Sequence, residues 1–543
     1  MTSPTNEKKI NFLFVHVPKA SNYYKIIDEY SFINFIPMGV FAICDLLNRE
    51  GISSRITHLG LETLLDGDYS ISKRVAREQV PIVGMSLHWH YQSYDVIDIA
   101  KKIREQSPKT KIILGGLTAS RFAEEIMREF PQIYAVIQGD AESSVIPFAK
   151  AILNKQYDLT HVNNCVWRNT KGKIVKNGIS YVADDKILSK LDFCNLKWLD
   201  HREAYRDYFK MPMFWMVNDS VKNNLKIRMK SKTLFPLAIG RGCPANCSFC
   251  GGGKEAQKKI CGRENFVFRT PNSIVHTMEQ AVSYGYQSFL TSFDPTPKDD
   301  TFYIQFLSEI RKRNLTCGLA LEFWGLPSER IIKAFSQTVK LRNSYIALSP
   351  ESGSEEIRCK NKEYCFFSNN ELEDTMKHLL KYNVPTIIYL TAGIPGETSK
   401  HMAQTVKFAN KLKRKYGRIL NGIICMPVQI EPGSPLFENP KKWGVTSSRS
   451  SFMDFYLSHG ECDSGPLDYL GYSTDTLSEG NNQCNQFRSI IQDFRCKNFC
   501  VLNLKLFGRI HINKLSQFFC ALRYKRWKRK GFGKMPEFRR TFC

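Results

Sequence analysis

Short apolar runs alternate with amphipathic stretches through the first part of the chain, residues 1–155. KINFLFVHVP (9–18) reads as a buried strand, MGVFAICDLLNREG (38–51) as a helix stopped by Gly51, and VPIVGMSLHWH (80–90) as a second strand. SYDVIDIAKKIREQSP (93–108) follows as a helix with Ser93 at its N-cap, and KIILGG (111–116) and AVIQGD (135–140) are further strands. Strands separated by helices in this way predict a parallel sheet covered on both faces, a doubly wound, Rossmann-like α/β domain. Ligands of such sheets sit beyond the carboxyl ends of the strands, which here run into SLHWH, GGLTAS and QGDAES.

Residues 156–232 lose this rhythm. They hold a hairpin-like NNCVWRNTKGKIVKNG and an aromatic-rich stretch with Tyr205, Tyr208, Phe209, Phe214 and Trp215, and read as a linker packed across domains. The alternation resumes in residues 233–440, with strand candidates at 234–240, 288–293, 317–323, 344–351, 386–393 and 422–430. Six strand–helix repeats fall short of the eight of a closed barrel, so a partial (β/α)6 barrel is expected. Residues 441–543 read as an irregular extension with a basic end, ALRYKRWKRKGFGKMPEFRRTFC.

Composition narrows the classes. A chain of 543 residues exceeds one ordinary core. No apolar run reaches the roughly 20 residues that span a bilayer, and the first residues lack a secretory cleavage pattern, so a cytoplasmic protein with no membrane span is expected. Seventeen cysteines, an odd number at irregular spacing, argue against a disulfide framework. The net charge of +25 favours acidic partners. A nucleic-acid partner is nonetheless the weaker alternative, because no aromatic and basic RNA-reading motif accompanies the charge.

One loop carries chemistry. GRGCPANCSFCGGG (240–253) places Cys243, Cys247 and Cys250 at a Cys-x3-Cys-x2-Cys spacing directly after a strand. A structural zinc site wants a fourth Cys or a His nearby, and the next cysteine, Cys261, stands eleven residues on. An iron–sulfur cluster takes up to four thiolates, so three leave one iron open to an outside ligand. The loop, with Phe249 ahead of its last cysteine, resembles the signature of the radical SAM superfamily. The resemblance implies a 4Fe-4S cluster on the three cysteines, whose open iron chelates S-adenosylmethionine (SAM). Reductive cleavage then yields methionine and a 5′-deoxyadenosyl radical.

Further motifs resemble that family in chain order. In LSPESGSEEI, Glu351 and Ser352 are implied to contact the ribose and methionine portions of SAM; by itself the segment also reads as a helix cap at Ser354. GIPGET, with Gly393 and Gly396, resembles the glycine motif that approaches the adenine, and EPGSPLFENPKKWG resembles the closing segment. TSFDPTPKDD stands where the family has a Gly-Gly-Glu run, so Asp294 is the implied substitute on the SAM amino group.

The first domain resembles the cobalamin-binding module that precedes many radical SAM barrels, through IPMGVFAICDLLNREG, IVGMSL, ILGGLTAS and VIQGDAES. Ser86, Leu87, Gly115, Gly116 and Gly139 are implied to line the cobalamin slot, with His88 or His90 of LHWH facing the corrin; by themselves these also read as satisfied loop histidines. His58 lacks the Asp-x-His-x-x-Gly context of a cobalt ligand. Together these resemblances imply a cobalamin-dependent radical SAM enzyme that methylates an unactivated carbon of a small-molecule substrate and draws electrons from a flavodoxin or ferredoxin. A cobalamin-dependent cyclase or rearrangement enzyme and an RNA-modifying enzyme are the alternatives. Cys462, Cys484, Cys496 and Cys500 match no ligand spacing and read as ordinary thiols.

Overall fold

The computed structural model describes residues 9–18, 35–208, 233–291, 300–460 and 472–474. Its first sheet comprises β1 (Phe12–His16), β2 (Ser54–His58), β3 (Ile82–Ser86), β4 (Lys111–Gly115), β5 (Ala135–Ile137), β6 (Cys165–Arg168) and β7 (Ile174–Lys176). The spatial order is 2-1-3-4-5-6-7, parallel through β5 and antiparallel beyond it. Side chains alternate between two cores: Phe12, Phe14, Ile82 and Ile113 to one face, Leu13, Val15, Val83 and Leu114 to the other. That is the doubly wound arrangement the alternation predicts.

Three local expectations change. The hairpin expected within the linker is β6–β7, which completes the first sheet. The strand β2 escapes the hydrophobic pattern because SRITH interleaves Arg55 and Thr57, whose polar groups meet Asp200 at 3.0 Å and 2.5 Å. Ser93 is the first residue of its helix rather than the cap; its hydroxyl donates to the His90 carbonyl at 2.6 Å.

After β8 (Leu234–Pro236) comes a short antiparallel pair, β9 (Gly240–Arg241) with β10 (Val267–Phe268). Then follow β11 (Ser288–Leu290), β12 (Gly318–Phe323), β13 (Tyr345–Glu351), β14 (Thr386–Ala392) and β15 (Leu420–Pro427). Strands β8 and β11–β15 form one six-stranded parallel sheet in chain order, the partial barrel the six repeats predict. Its helices begin where the sequence supplies caps: Thr270 accepts from Ser273 ahead of Pro271, and Ser368 forms a capping box with Glu371.

Residues 441–460 and 472–474 of the extension carry regular elements that their pattern does not predict. β16 (Val445–Ser447) pairs with β17 (Tyr472–Thr474), and a helix spans Phe452–Gly460. Phe452 and Phe455, both fully buried, share a core with Phe122 and Phe130 of the first domain and with Phe437. Burying each such ring is worth about 2–3 kcal/mol, so the extension clamps the two domains together. No described helix is long and apolar enough to cross a membrane.

Candidate functional site

The cysteine loop is held from three sides. Ser248 donates through its amide to the Asn361 carbonyl at 3.0 Å, and the Leu436 amide donates to Ser248 O at 2.8 Å. The Gly251 amide donates to Glu431 Oε2 at 2.8 Å. A Cβ on Gly251 would come within 2.5 Å of Pro432 O, so only glycine permits this approach. Phe249, half-buried, packs against the shared core. Cys243, Cys247 and Cys250 are half-buried, and none of the eleven described cysteines forms a disulfide.

The three thiols sit close enough to oppose one another's ionisation. Burial pushes Cys247 up to about 11, with the Lys362 ammonium pulling the other way. Burial, then the Glu431 carboxylate, raises Cys250 well above the usual thiol range. Such thiols ionise only as they take up a strong Lewis acid, and the Gly252 amide already points at Cys250 Sγ from 3.4 Å. Among the described residues no three His, Cys, Asp or Glu side chains converge to hold a single ion. The donor set therefore fits a cluster, in which each thiolate takes its own iron, better than zinc.

Beside the loop lies the end of β13. Glu351 has φ 61°, in the left-handed region that a non-glycine residue enters at a cost, and the pairing with β14 shifts register between Leu348 and Glu351. Its carboxylate accepts from Lys362 Nζ at 3.1 Å and from the Thr391 hydroxyl. Lys362 also donates to the Ser349 carbonyl at 2.6 Å. The turn is fixed from behind by Arg358, fully buried, which donates to Pro350 O at 3.0 Å, Ser352 O at 2.7 Å, Phe367 O at 2.6 Å and Asn369 Oδ1 at 2.7 Å. Ser352 is fully enclosed, its hydroxyl 3.1 Å from Thr405 Oγ1, so it braces the turn and offers no surface to a ligand. The cap at Ser354 exists as well, accepting from Ile357.

The GIPGET segment follows β14. Gly393 (φ 83°) and Gly396 (φ 85°) both need glycine's left-handed freedom. The Gly393 amide donates to Glu397 Oε2 at 2.8 Å, and burial pushes the Glu397 carboxyl up to about 7. Asp294 lies outside the described residues.

In the first domain, the carboxyl ends of the central strands are open while the strand interiors are buried. Ser86, His88, Gly115 and Gly116 are all partly exposed, and a Cβ on Gly115 would meet nothing nearer than Ile137 O at 3.9 Å. Leu87 is fully buried, and its amide donates to Gly115 O at 2.8 Å, so it shapes the slot without facing it. Gly116 (φ 103°) lies against His88, where a Cβ would sit 2.8 Å from the His88 backbone. Burial alone pushes the His88 imidazole down to about 4, with no charged or hydrogen-bonding neighbour contributing. It stands neutral at the rim, beside the Trp89 ring at 4.8 Å. Open space over Gly115 beside a neutral imidazole fits a large, flat face such as that of a corrin. His90, by contrast, turns away to His459, with Nδ1 3.0 Å from Nε2.

Gly139 stands at the domain contact. Its missing Cβ makes room for Cys261, whose backbone lies 3.1 Å from that position, so it serves the domain contact. The adjoining acidic residues do the same. Arg241 donates to Asp140 Oδ1 at 2.8 Å and to Glu142 Oε1 at 2.7 Å, while Arg263 also engages Asp140. Loops from the carboxyl ends of both sheets thus touch. Arg241, Arg263, Arg358, Lys362 and Thr391 are the residues that sequence reasoning missed; Arg241, Arg263 and Thr391 have partners distant in the chain, while Arg358 and Lys362 meet nearby residues only once the turn after β13 has formed, and only the charge of the arginines and lysine was visible beforehand.

The family model of the radical SAM superfamily matches residues 237–409, and that of the B12 binding domain matches residues 29–146. The anaerobic magnesium-protoporphyrin IX monomethyl ester cyclase of Rubrivivax gelatinosus is 23% identical over 332 residues, covering 59% of this chain and 52% of the cyclase. An uncharacterized methyltransferase of Pyrococcus horikoshii is 23% identical over 416 residues, 74% of this chain and 78% of that protein. The chain spans about half the length of the cyclase relative it matches. Among solved structures, the radical SAM methyltransferase TsrM from Kitasatospora setae superposes with a TM-score of 0.63 at 14% identity, covering 89% of each chain. The cobalamin-dependent radical enzyme OxsB, with aqua-cobalamin bound, gives 0.60 at 12% identity over 95% of this chain and 71% of that one. At such identities the likeness concerns the fold. The two family models fall on the two domains that Arg241 and Arg263 join: the chain belongs to the radical SAM superfamily, in the group whose barrel follows a B12-binding domain.

Proposed function

We propose that this enzyme methylates an unactivated carbon of a small molecule, consuming SAM with a 4Fe-4S cluster and cobalamin. When bound, the cluster with SAM supplies a hydrogen-abstracting radical and cobalamin supplies the methyl group. Cys243, Cys247 and Cys250 would hold the cluster. Glu351, propped by Lys362 and Thr391, faces outward as an acceptor for a diol. Gly393 and Gly396 keep the adenine side open, and Ser86, Gly115, Gly116 and His88 would border the corrin. The observation that supports the reading is the lock of Arg241 and Arg263 on Asp140 and Glu142, which brings the loop after β5 of the first domain against the cysteine loop of the barrel.

We place the enzyme in the cytoplasm, drawing its electrons from a small flavodoxin- or ferredoxin-type donor. The cyclase of Rubrivivax gelatinosus supports a second reading, ring closure without methyl transfer. Anaerobically reconstituted protein given methyl-labelled SAM and a reductant separates the two. Label in the product, with S-adenosylhomocysteine and 5′-deoxyadenosine in equal amounts, supports methylation; 5′-deoxyadenosine alone, with unlabelled product, supports cyclisation. No SAM consumption at all sinks both.

A further inference from the structure

The inner face of the barrel holds a polar group that the cofactor sites leave unused. On β12, Leu319, Leu321 and Phe323 join the outer core under the helices, so Ala320 and Glu322 look inward. Tyr345 and Ala347 of β13, Ile387 and Tyr389 of β14, Leu290 of β11 and Ile424 of β15 share that inner face. Glu322 pairs across with Ala347, which in turn pairs with Ile387. The small alanine leaves a gap over which Glu322 and Tyr389 reach each other, and the Tyr389 hydroxyl bonds the Glu322 carboxylate.

Inner layers of small barrels are ordinarily filled with apolar side chains. Here the middle stays partly open: Leu290, Glu322, Tyr389 and Ile424 keep solvent exposure although the outer face of the same strands is buried. Beneath them Tyr345, 6% exposed, has a buried hydroxyl with no hydrogen-bond partner among the described residues. A phenol that forgoes its bond inside a protein is costly unless something comes to make it. Tyr389 lies two residues before Thr391 on one face of β14, so this group sits about 7 Å below the Glu351–Thr391 rim. That depth is within reach of a molecule held at the mouth.

We propose that Glu322, Tyr345 and Tyr389 form a head-group subsite for the substrate, one that takes a cationic amine carried on an apolar body. A carboxylate already accepting one phenol keeps acceptor capacity for an ammonium donor, and Tyr345 adds a hydroxyl. The walls of Leu290, Ala320, Ile387 and Ile424 match the apolar body. The inference deepens the reading of the enzyme as acting on a small molecule, and rests on it.

The test titrates full-length protein, reconstituted anaerobically and saturated with SAM, with benzylamine, benzyl alcohol and benzoate, reading binding by ligand-observed NMR. Benzylamine is expected to bind at least tenfold tighter than benzoate. Glu322→Gln removes that preference and weakens benzylamine tenfold or more. Tyr345→Phe weakens it severalfold while keeping or raising the melting temperature, since only an unbonded hydroxyl is lost; this variant carries the test if Glu322→Gln misfolds. Equal binding of the three probes, or wild-type affinity in both variants, overturns the proposal, as does benzylamine that displaces SAM instead of binding beside it. Failure of the cofactor reading shows separately, as wild-type protein that consumes no SAM, because the titration reports on the barrel interior alone.

Discussion

Asp140 of the first domain accepts a hydrogen bond at 2.8 Å from Arg241, two residues ahead of Cys243. The same carboxylate holds Arg263, whose guanidinium is only 3% exposed, and the Ala183 amide at 2.8 Å. The contact joins the cobalamin-side rim to the cluster loop through charge and leaves the catalytic groups themselves untouched.

Asp140→Asn should therefore uncouple the domains. The buried Arg263 guanidinium loses its charge partner while Arg241 keeps Glu142, a loss of about 3–5 kcal/mol. Iron bound after reconstitution should stay near wild type, because the cysteine loop has other supports, while the yield of methylated product per SAM consumed falls. Thermal unfolding and the product ratio check this; a variant as stable and as coupled as wild type contradicts the lock.

Glu351→Gln leaves Lys362, 3% exposed, without its carboxylate and offers a diol a weaker acceptor. The affinity for SAM should drop about tenfold or more, since hydrogen bonds to charged groups are worth about 1.5–3 kcal/mol. Cluster content should hold. Calorimetric titration of reconstituted protein with SAM measures the effect.

Gly116→Ala meets two obstacles, a φ of 103° and a backbone 2.8 Å away at His88. Neither can be relieved without separating the loops that follow β3 and β4. Corrinoid uptake, followed by visible absorbance, should fall by an order of magnitude at unchanged iron. Gly51→Ala is the matching control, because a Cβ there meets nothing within 4 Å at a similarly positive φ.

Glu397 makes stability depend on pH. Its folded pKa of about 7 lies above the ordinary 4.5, so between these values the folded chain binds more protons than the unfolded one. Its stabilising contribution is complete below pH 4.5 and is lost as pH rises through 7, about 3 kcal/mol in all. Glu397→Gln keeps an oxygen for the Gly393 amide and should flatten that dependence. Urea unfolding at pH 5 and pH 8 compares the two slopes.

Much of the fold was legible beforehand. The buried strands β1, β3, β4 and β5, and all six barrel strands, show as apolar runs because a parallel strand between helices is apolar on both faces. β2 did not show, since its polar side chains at Arg55 and Thr57 find partners in Arg74 and Asp200 that no local pattern reveals. The helix Phe452–Gly460 was missed for a related reason. Its apolar residues make sense only against Phe122 and Phe130, more than 300 positions away.

The sequence by itself determined the order of elements and the trio of thiols, because hydrophobic period and metal-ligand spacing are local properties. Tertiary structure alone decided that Gly139 and Asp140 serve the domain contact, that Ser352 is enclosed while Glu351 faces out, and that Glu322 meets Tyr389 inside the barrel. Each of these depends on which strands become neighbours and which face of each turns inward. Those are outcomes of packing two sheets against one another, and no short stretch of chain encodes them.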